Sequence, residues 1–154
     1  MELVAAALAV AEVSAKTSSK LWKLSEQWRT APRDIFDIRD EVDRAASLFA
    51  LVEAQLQSCS LGLEHSPGSS MTGLNIRAGH ALRQLLHSGQ GIVNKLQDFI
   101  DLLLLHDGSG DFGEIISKSR RLMWIRNSHK IRFLRSSLKT NLEGVGVQLA
   151  LLNL

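Results

Sequence analysis

From Ile131 to Leu152 seven apolar side chains recur at spacings of 3, 4, 4, 3, 4 and 3: Ile131, Leu134, Leu138, Leu142, Val145, Leu149 and Leu152. That rhythm follows the turn of an α-helix with one covered face, and it has no place in a strand, whose side chains alternate from face to face. The same rhythm runs through Ile35, Ile38, Val42, Ala45, Phe49, Val52 and Leu56, with Arg39, Asp40, Asp43 and Arg44 filling the other side. A chain of 154 residues that is 45% hydrophobic and holds only 2 prolines has the length and apolar content for one cooperative core. Its 5 Phe, 3 Trp and absent Tyr, beside abundant Leu and Ala, also favour helices over a sheet. The expected class is all-α: one domain, residues 1–154, a bundle of four to five antiparallel helices joined by short turns.

The expected helices cover about 2–29, 34–61, 74–105, 111–125 and 128–153. Residues 2–29 contain neither Pro nor Gly, and Pro32 stops the first helix by removing a donor and disfavouring helix in the residue before it. Asp34 can cap the second. Breakers crowd the segment from Gly62 to Gly73, the clearest loop, and Asp107-Gly-Ser-Gly is a short turn. Gly89 and Gly91 are candidate bending points in the third helix. Gly144 and Gly146 weaken the last by up to about 1 kcal/mol each, so packing has to hold it.

The opening, Met-Glu-Leu-Val-Ala-Ala-Ala-Leu-Ala-Val-Ala-Glu-Val-Ser-Ala, is apolar and rich in small residues. Such a helix must be covered by the rest of the protein, by another copy or by lipid. A secretory signal would carry Lys or Arg ahead of the apolar stretch, where this chain has Glu2. Glu2, Glu12, Lys16 and Lys20 interrupt it as a bilayer span, so the monomer is expected to be soluble. Ala7, Ala11, Ala15 and Ser19 place small residues every four positions, a seam along which another backbone can approach, although alanine is also the best helix former and suits an ordinary bundle.

Chemistry-bearing spacings are mostly missing. His65, His80, His87, His106 and His129 form neither a His-Glu-x-x-His nor a Glu-x-x-His pair, and His80 and His87 read as helix-surface histidines. Cys59 is the single cysteine, which excludes an internal disulfide framework and points to a reducing compartment. Gly108-Ser-Gly110 lacks the Lys-Ser/Thr and the strand of a phosphate-binding loop. The expectation is a non-enzymatic protein with no catalytic residue, no metal and no cofactor. One stretch does point to a ligand: Lys118, Arg120, Arg121, Arg126, Lys130, Arg132, Arg135 and Lys139 fall between 118 and 139 without one Asp or Glu. They must face an anion, either a phospholipid surface or a nucleic acid, or else Asp37, Asp40, Glu41 and Asp43 of the second helix. Trp124 within the stretch favours lipid, because indole prefers the boundary of water and hydrocarbon. Nucleic acid is disfavoured by the overall balance of 18 basic to 16 acidic residues and by the lack of a recognition motif.

The N-terminal apolar helix, the break near Pro32 and the closing run from Trp124 through Leu152, with its Trp-x5-Lys-Ile-x-x-Leu-x3-Leu pattern, resemble the fungal N-terminal domains of the HeLo-like group. These domains stand at the front of NLR-type NTPases and ankyrin-repeat proteins. The resemblance implies a helical bundle of non-self recognition and regulated cell death, whose first helix enters the plasma membrane when the bundle oligomerises. Carried onto this chain, it makes Leu3, Val4, Leu8, Val10 and Val13 the membrane-inserting residues and Ala7, Ala11 and Ala15 the helix-packing seam. Two features depart from the pattern. Alanines stand where relatives often have glycines, and the downstream NTPase, repeat or amyloid-forming segment is missing. The expected function is a signalling bundle, cytoplasmic and recruited to the membrane, that self-associates and works with NLR-type or ankyrin-repeat proteins. The alternative is a protein-interaction or homodimerisation module with its first helix always buried.

Overall fold

The computed structural model describes residues 2–63, 73–104 and 113–152. Four helices make up almost all of it: α1 (Glu2–Gln27), α2 (Arg33–Leu63), α3 (Gly73–Leu104) and α4 (Gly113–Leu151). No strand occurs among the described residues. The turns expected around His65 and at Asp107-Gly-Ser-Gly, and the side chain of Cys59, lie outside the described part.

The two C-terminal segments expected as separate helices are one. Across the expected gap between 125 and 128 the side chains bond back into the helix: Asn127 Nδ2 donates to the Met123 carbonyl at 2.9 Å and Ser128 Oγ to that of Ile125 at 3.1 Å. No proline lies between 113 and 152 to end the run. The α1–α2 junction follows expectation at Pro32 with one change. The Pro32 carbonyl accepts from the Ile35 amide at 3.0 Å, so the chain turns into α2 there, and Asp34 lies in the first turn instead of capping it.

Buried positions step by three and four in every helix, the spacing that holds one seam against neighbours in a bundle. In α1 the row is Ala7, Val10, Ser14, Thr17, Leu21 and Leu24, with Trp28 just past its end; in α2 it is Ile35, Ile38, Val42, Ala45, Phe49, Val52 and Leu56. In α3 the row is Leu86, Val93, Leu96, Ile100 and Leu103, and in α4 Trp124, Ile131, Leu138 and Val145 repeat every seven. Leu134, Leu142 and Leu152 pack against the same core from its edge. The α1 seam therefore differs from the four-residue ladder: Ala7 and Ala11 are buried while Ala15 and Ser19 are exposed, because a step of four drifts around a helix of 3.6 residues per turn.

Cross-helix pairs give the directions. Ser18 reaches Asp43 at 3.0 Å and Arg39 stacks on Trp22 at 3.9 Å, so α1 and α2 run antiparallel. Arg120 reaches the Leu103 carbonyl and Trp124 meets the Phe99 ring, so α3 and α4 do too. Glu2–Arg83, Thr17–Gln97 and Lys20–Asp101 advance together, which makes α1 and α3 parallel; Arg132–Asp34 and Arg135–Asp37 make α2 and α4 parallel. α1 thus lies between α2 and α3.

At the waist of the bundle α3 comes close to its neighbours through Gly89. A Cβ there would stand 2.8 Å from Asn141 Oδ1 and 3.0 Å from the Phe49 ring, and Asn141 is held by its own bond to the Leu85 carbonyl at 2.8 Å. Around Gly91 and Gly146 nothing lies within 4 Å. Gly91→Ala and Gly146→Ala should each raise stability by about 0.5–1 kcal/mol through helix propensity. Gly89→Ala should lower it by about 1–3 kcal/mol through overpacking despite the same propensity gain, as read from denaturant midpoints.

Candidate functional site

The row that carries Trp124, Ile131, Leu138 and Val145 inward leaves a second row on α4 pointing away from the bundle. It holds Leu122, Ile125, His129 and Phe133, at steps of three, four and four, and its three large apolar side chains are 69%, 61% and 71% exposed. Surfaces seldom leave such residues in line unless something covers them. Lys118, Arg121, Arg126 and Lys130 flank the row, all exposed, and none has an acidic partner among the described residues. Lys139 is exposed in the same way further along the helix.

The other members of the basic stretch are already engaged. Arg120 is buried and its Nε donates to the Leu103 carbonyl at 3.0 Å, fastening the start of α4 to the end of α3. Trp124 is buried as well, its ring 6.0 Å from that of Phe99 and tilted by 54°, so its indole belongs to the core and not to an outer surface. Arg132 meets Asp34 at 3.4 Å and Arg135 meets Asp37 at 3.8 Å. Neutralisation by α2 is therefore partial. Asp37 takes part as expected and Asp34 joins it, whereas Asp40 lies 3.3 Å from Arg39, Glu41 lies 4.0 Å from Arg44, and Asp43 accepts from Ser18. Leu122, Ile125 and Phe133 escaped the sequence reading. Once Trp124 and Ile131 are placed inside, residues two positions from either stand about 200° around the helix, and that is the signal that would have found Leu122 and Phe133.

α1 presents a different arrangement. Val10 and Ala7 are fully buried, Ala11 nearly so, and Leu3, Val4 and Val13 pack against the core from its margin; Leu8 is exposed. The middle of its buried face is polar. Ser14 Oγ lies in the core with no hydrogen-bond partner among the described residues, Thr17 Oγ1 bonds the Val13 carbonyl and Gln97, and Ser18 bonds Asp43. Glu2–Arg83 at 2.6 Å and Lys20–Asp101 at 2.8 Å tie its two ends to α3 across exposed surface. Pairs so placed contribute about 0–1 kcal/mol each.

His80 and His87 are both exposed, and His80 is 3.4 Å from Gln84 on its own helix. Among the described residues no three His, Cys, Asp or Glu side chains gather as a metal site would require. No family model, curated protein or solved structure matches this chain.

Arg120 and its neighbours separate structure from surface. Arg120→Ala should lower stability by about 1–3 kcal/mol, because it strips a buried carbonyl of its donor, while Lys118→Ala and Arg121→Ala should stay within about 0.5 kcal/mol of the parent. Thermal melts of the three variants check this.

Proposed function

We propose that this chain is a non-enzymatic signalling bundle that docks on an anionic membrane surface through the outer face of α4. The observation that carries the reading is one helix face on which Leu122, Ile125 and Phe133 stand exposed among Lys118, Arg121, Arg126 and Lys130. A helix that shows apolar side chains between cations lies in the plane of a membrane interface, its apolar groups under the headgroups and its cations at their phosphates. None of the described helices is long and apolar enough to cross a membrane, so the reading needs a helix lying on the bilayer, not one spanning it. With the resemblance to HeLo-like domains it makes this bundle the membrane-facing part of a cytoplasmic signalling system, in company with NLR-type or ankyrin-repeat proteins.

A second reading keeps α1 as an element released on oligomerisation, and the polar middle of its buried face supports it. Ala7, Ala11, Ser14, Thr17 and Ser18 give up less apolar contact on leaving than a seam of Leu and Ile would. Insertion would set Glu2 and Glu12 in the bilayer at high cost unless several copies turned them toward a water-filled pore. If α1 instead stays in the core, the bundle is an interaction module and leakage does not follow binding.

Sedimentation with vesicles tests both readings. The parent protein should bind vesicles containing anionic lipid, less so as salt rises, and should ignore purely zwitterionic ones. Reversing Lys118, Arg121, Arg126 and Lys130 to Glu should weaken binding by at least roughly three orders of magnitude, at about 1 kcal/mol per cation. Replacing Leu122, Ile125 and Phe133 by Ser should also release the protein, with the melting temperature of either variant unchanged. Undiminished binding by both variants would sink the docking face. Dye leakage from the same vesicles that is lost in Leu8→Glu, with binding retained, would support release of α1; unaltered hydrogen-exchange protection of residues 3–15 on the vesicle would exclude it.

A further inference from the structure

Beside the outer row of α4 the surface is concave. A groove of about 710 Å³ runs between α3 and α4, walled by Phe99, Leu102, Phe133 and Leu134. Its volume is in the range of sites that enclose a small molecule, roughly 300–1,000 Å³, and its apolar walls are edged by Asn127 and His129 as well as by charged groups. Leu102 on α3 is half exposed. The charged groups at the lining are Lys95 and Lys130, both exposed, and Asp98. Neither lysine has an acidic partner within 4.0 Å among the described residues.

We propose that this groove binds a single anionic amphiphile, with an acyl chain against Phe99, Leu102 and Leu134 and a phosphate or carboxylate head met by the ammonium groups of Lys95 and Lys130. Charge and continuity select this occupant. The lysines outnumber the one carboxylate, and Phe133 and Lys130 belong both to the groove and to the face proposed for membrane docking, so the groove opens where lipid would be. The proposal rests on that reading for the source of the ligand alone, since the groove and its lysines stand whether or not α4 lies on a bilayer. Asp98 opposes the anion, which gives the model a sign that a bare apolar slot would not have.

The test uses short-chain phosphatidic acid below its micelle-forming concentration, phosphatidylcholine of the same chain length and inorganic phosphate, each titrated into the full chain by calorimetry with amide NMR shifts as the map. Phosphatidic acid should bind best and shift the amides of 95–102 and 127–134. Lys95→Glu and Lys130→Glu should each weaken it by at least about fivefold, Asp98→Asn should tighten it, and Leu102→Asp should abolish it with an unchanged melting temperature. Equal binding of phosphatidylcholine, equal binding of phosphate alone, or indifference to Leu102→Asp would each overturn the proposal. So would capture of an acidic amphipathic peptide at these amides with no lipid binding. Vesicle binding of Leu102→Asp keeps the two readings apart. Adhesion retained while monomeric lipid is lost is the expected pattern, and monomeric lipid bound by a protein that ignores vesicles would remove the docking face and leave the groove.

Discussion

The repeat of three and four residues shared by the four helices decides which side chain of α4 meets the core, and through that choice which ones meet the outside. Trp124, Ile131, Leu138 and Val145 lie seven apart and are all covered, so the helix has no freedom to roll. Rolling it by half a turn would bring Phe133 inward at the cost of exposing an indole and three aliphatic side chains, at about 1.5–3 kcal/mol for each one uncovered. The exposed row of Leu122, Ile125 and Phe133 is thus a consequence of packing elsewhere. It persists because correcting it would break the seam.

Buried polar groups sit at Arg120, at Asn141 and along α1, and the last two act differently. Asn141 bonds the Leu85 carbonyl across the α3–α4 interface beside Gly89, where a larger residue has no room, and so it fixes the level at which the two helices meet. In α1 the buried Ser14, Thr17 and Ser18 bring little apolar area, and Ser14 Oγ, like Asn141 Oδ1, has no partner among the described residues. An unpartnered buried polar atom costs about 1–3 kcal/mol, a local cost that Val10, Leu21 and Leu24 in α1 and Leu138 and Val145 in α4 offset by their burial.

Periodicity made the helical class, the Pro32 junction, the α2 seam and the C-terminal row from Ile131 to Leu152 legible in the sequence, because each depends on residues within a few turns of one another. The gap expected between 125 and 128 is absent, and there Asn127 and Ser128 bond back to the helix's own carbonyls. Trp124 was assigned to a lipid boundary from the general habit of indole, while its seven-residue distance from Ile131 already placed it on the inner side. The basic stretch was counted by charge and not by angle, so Arg120, Arg132 and Arg135 were grouped with cations that point elsewhere. The lateral parallel pairs could not be read at all, since no local spacing records which helices become neighbours.

Those pairs bear on the order in which the chain folds. Within α1–α2 and α3–α4 the partners are close in sequence, as Ser18 is to Asp43 and Leu103 to Arg120, whereas Thr17 and Gln97 are 80 residues apart. Two hairpins with short loops to close form early, and their union carries the larger loop-closure entropy and comes later. During synthesis the first hairpin is finished before α3 exists, and it must wait with the side of α1 that will meet α3 bare to solvent. That side holds Thr17 and Lys20, and also Leu21 and Leu24, which line one apolar cavity with Leu96, Ile100 and Leu103 of α3. Until α3 arrives those leucines are open to other unfinished chains, so the interval between the two hairpins is when the chain is most prone to aggregate.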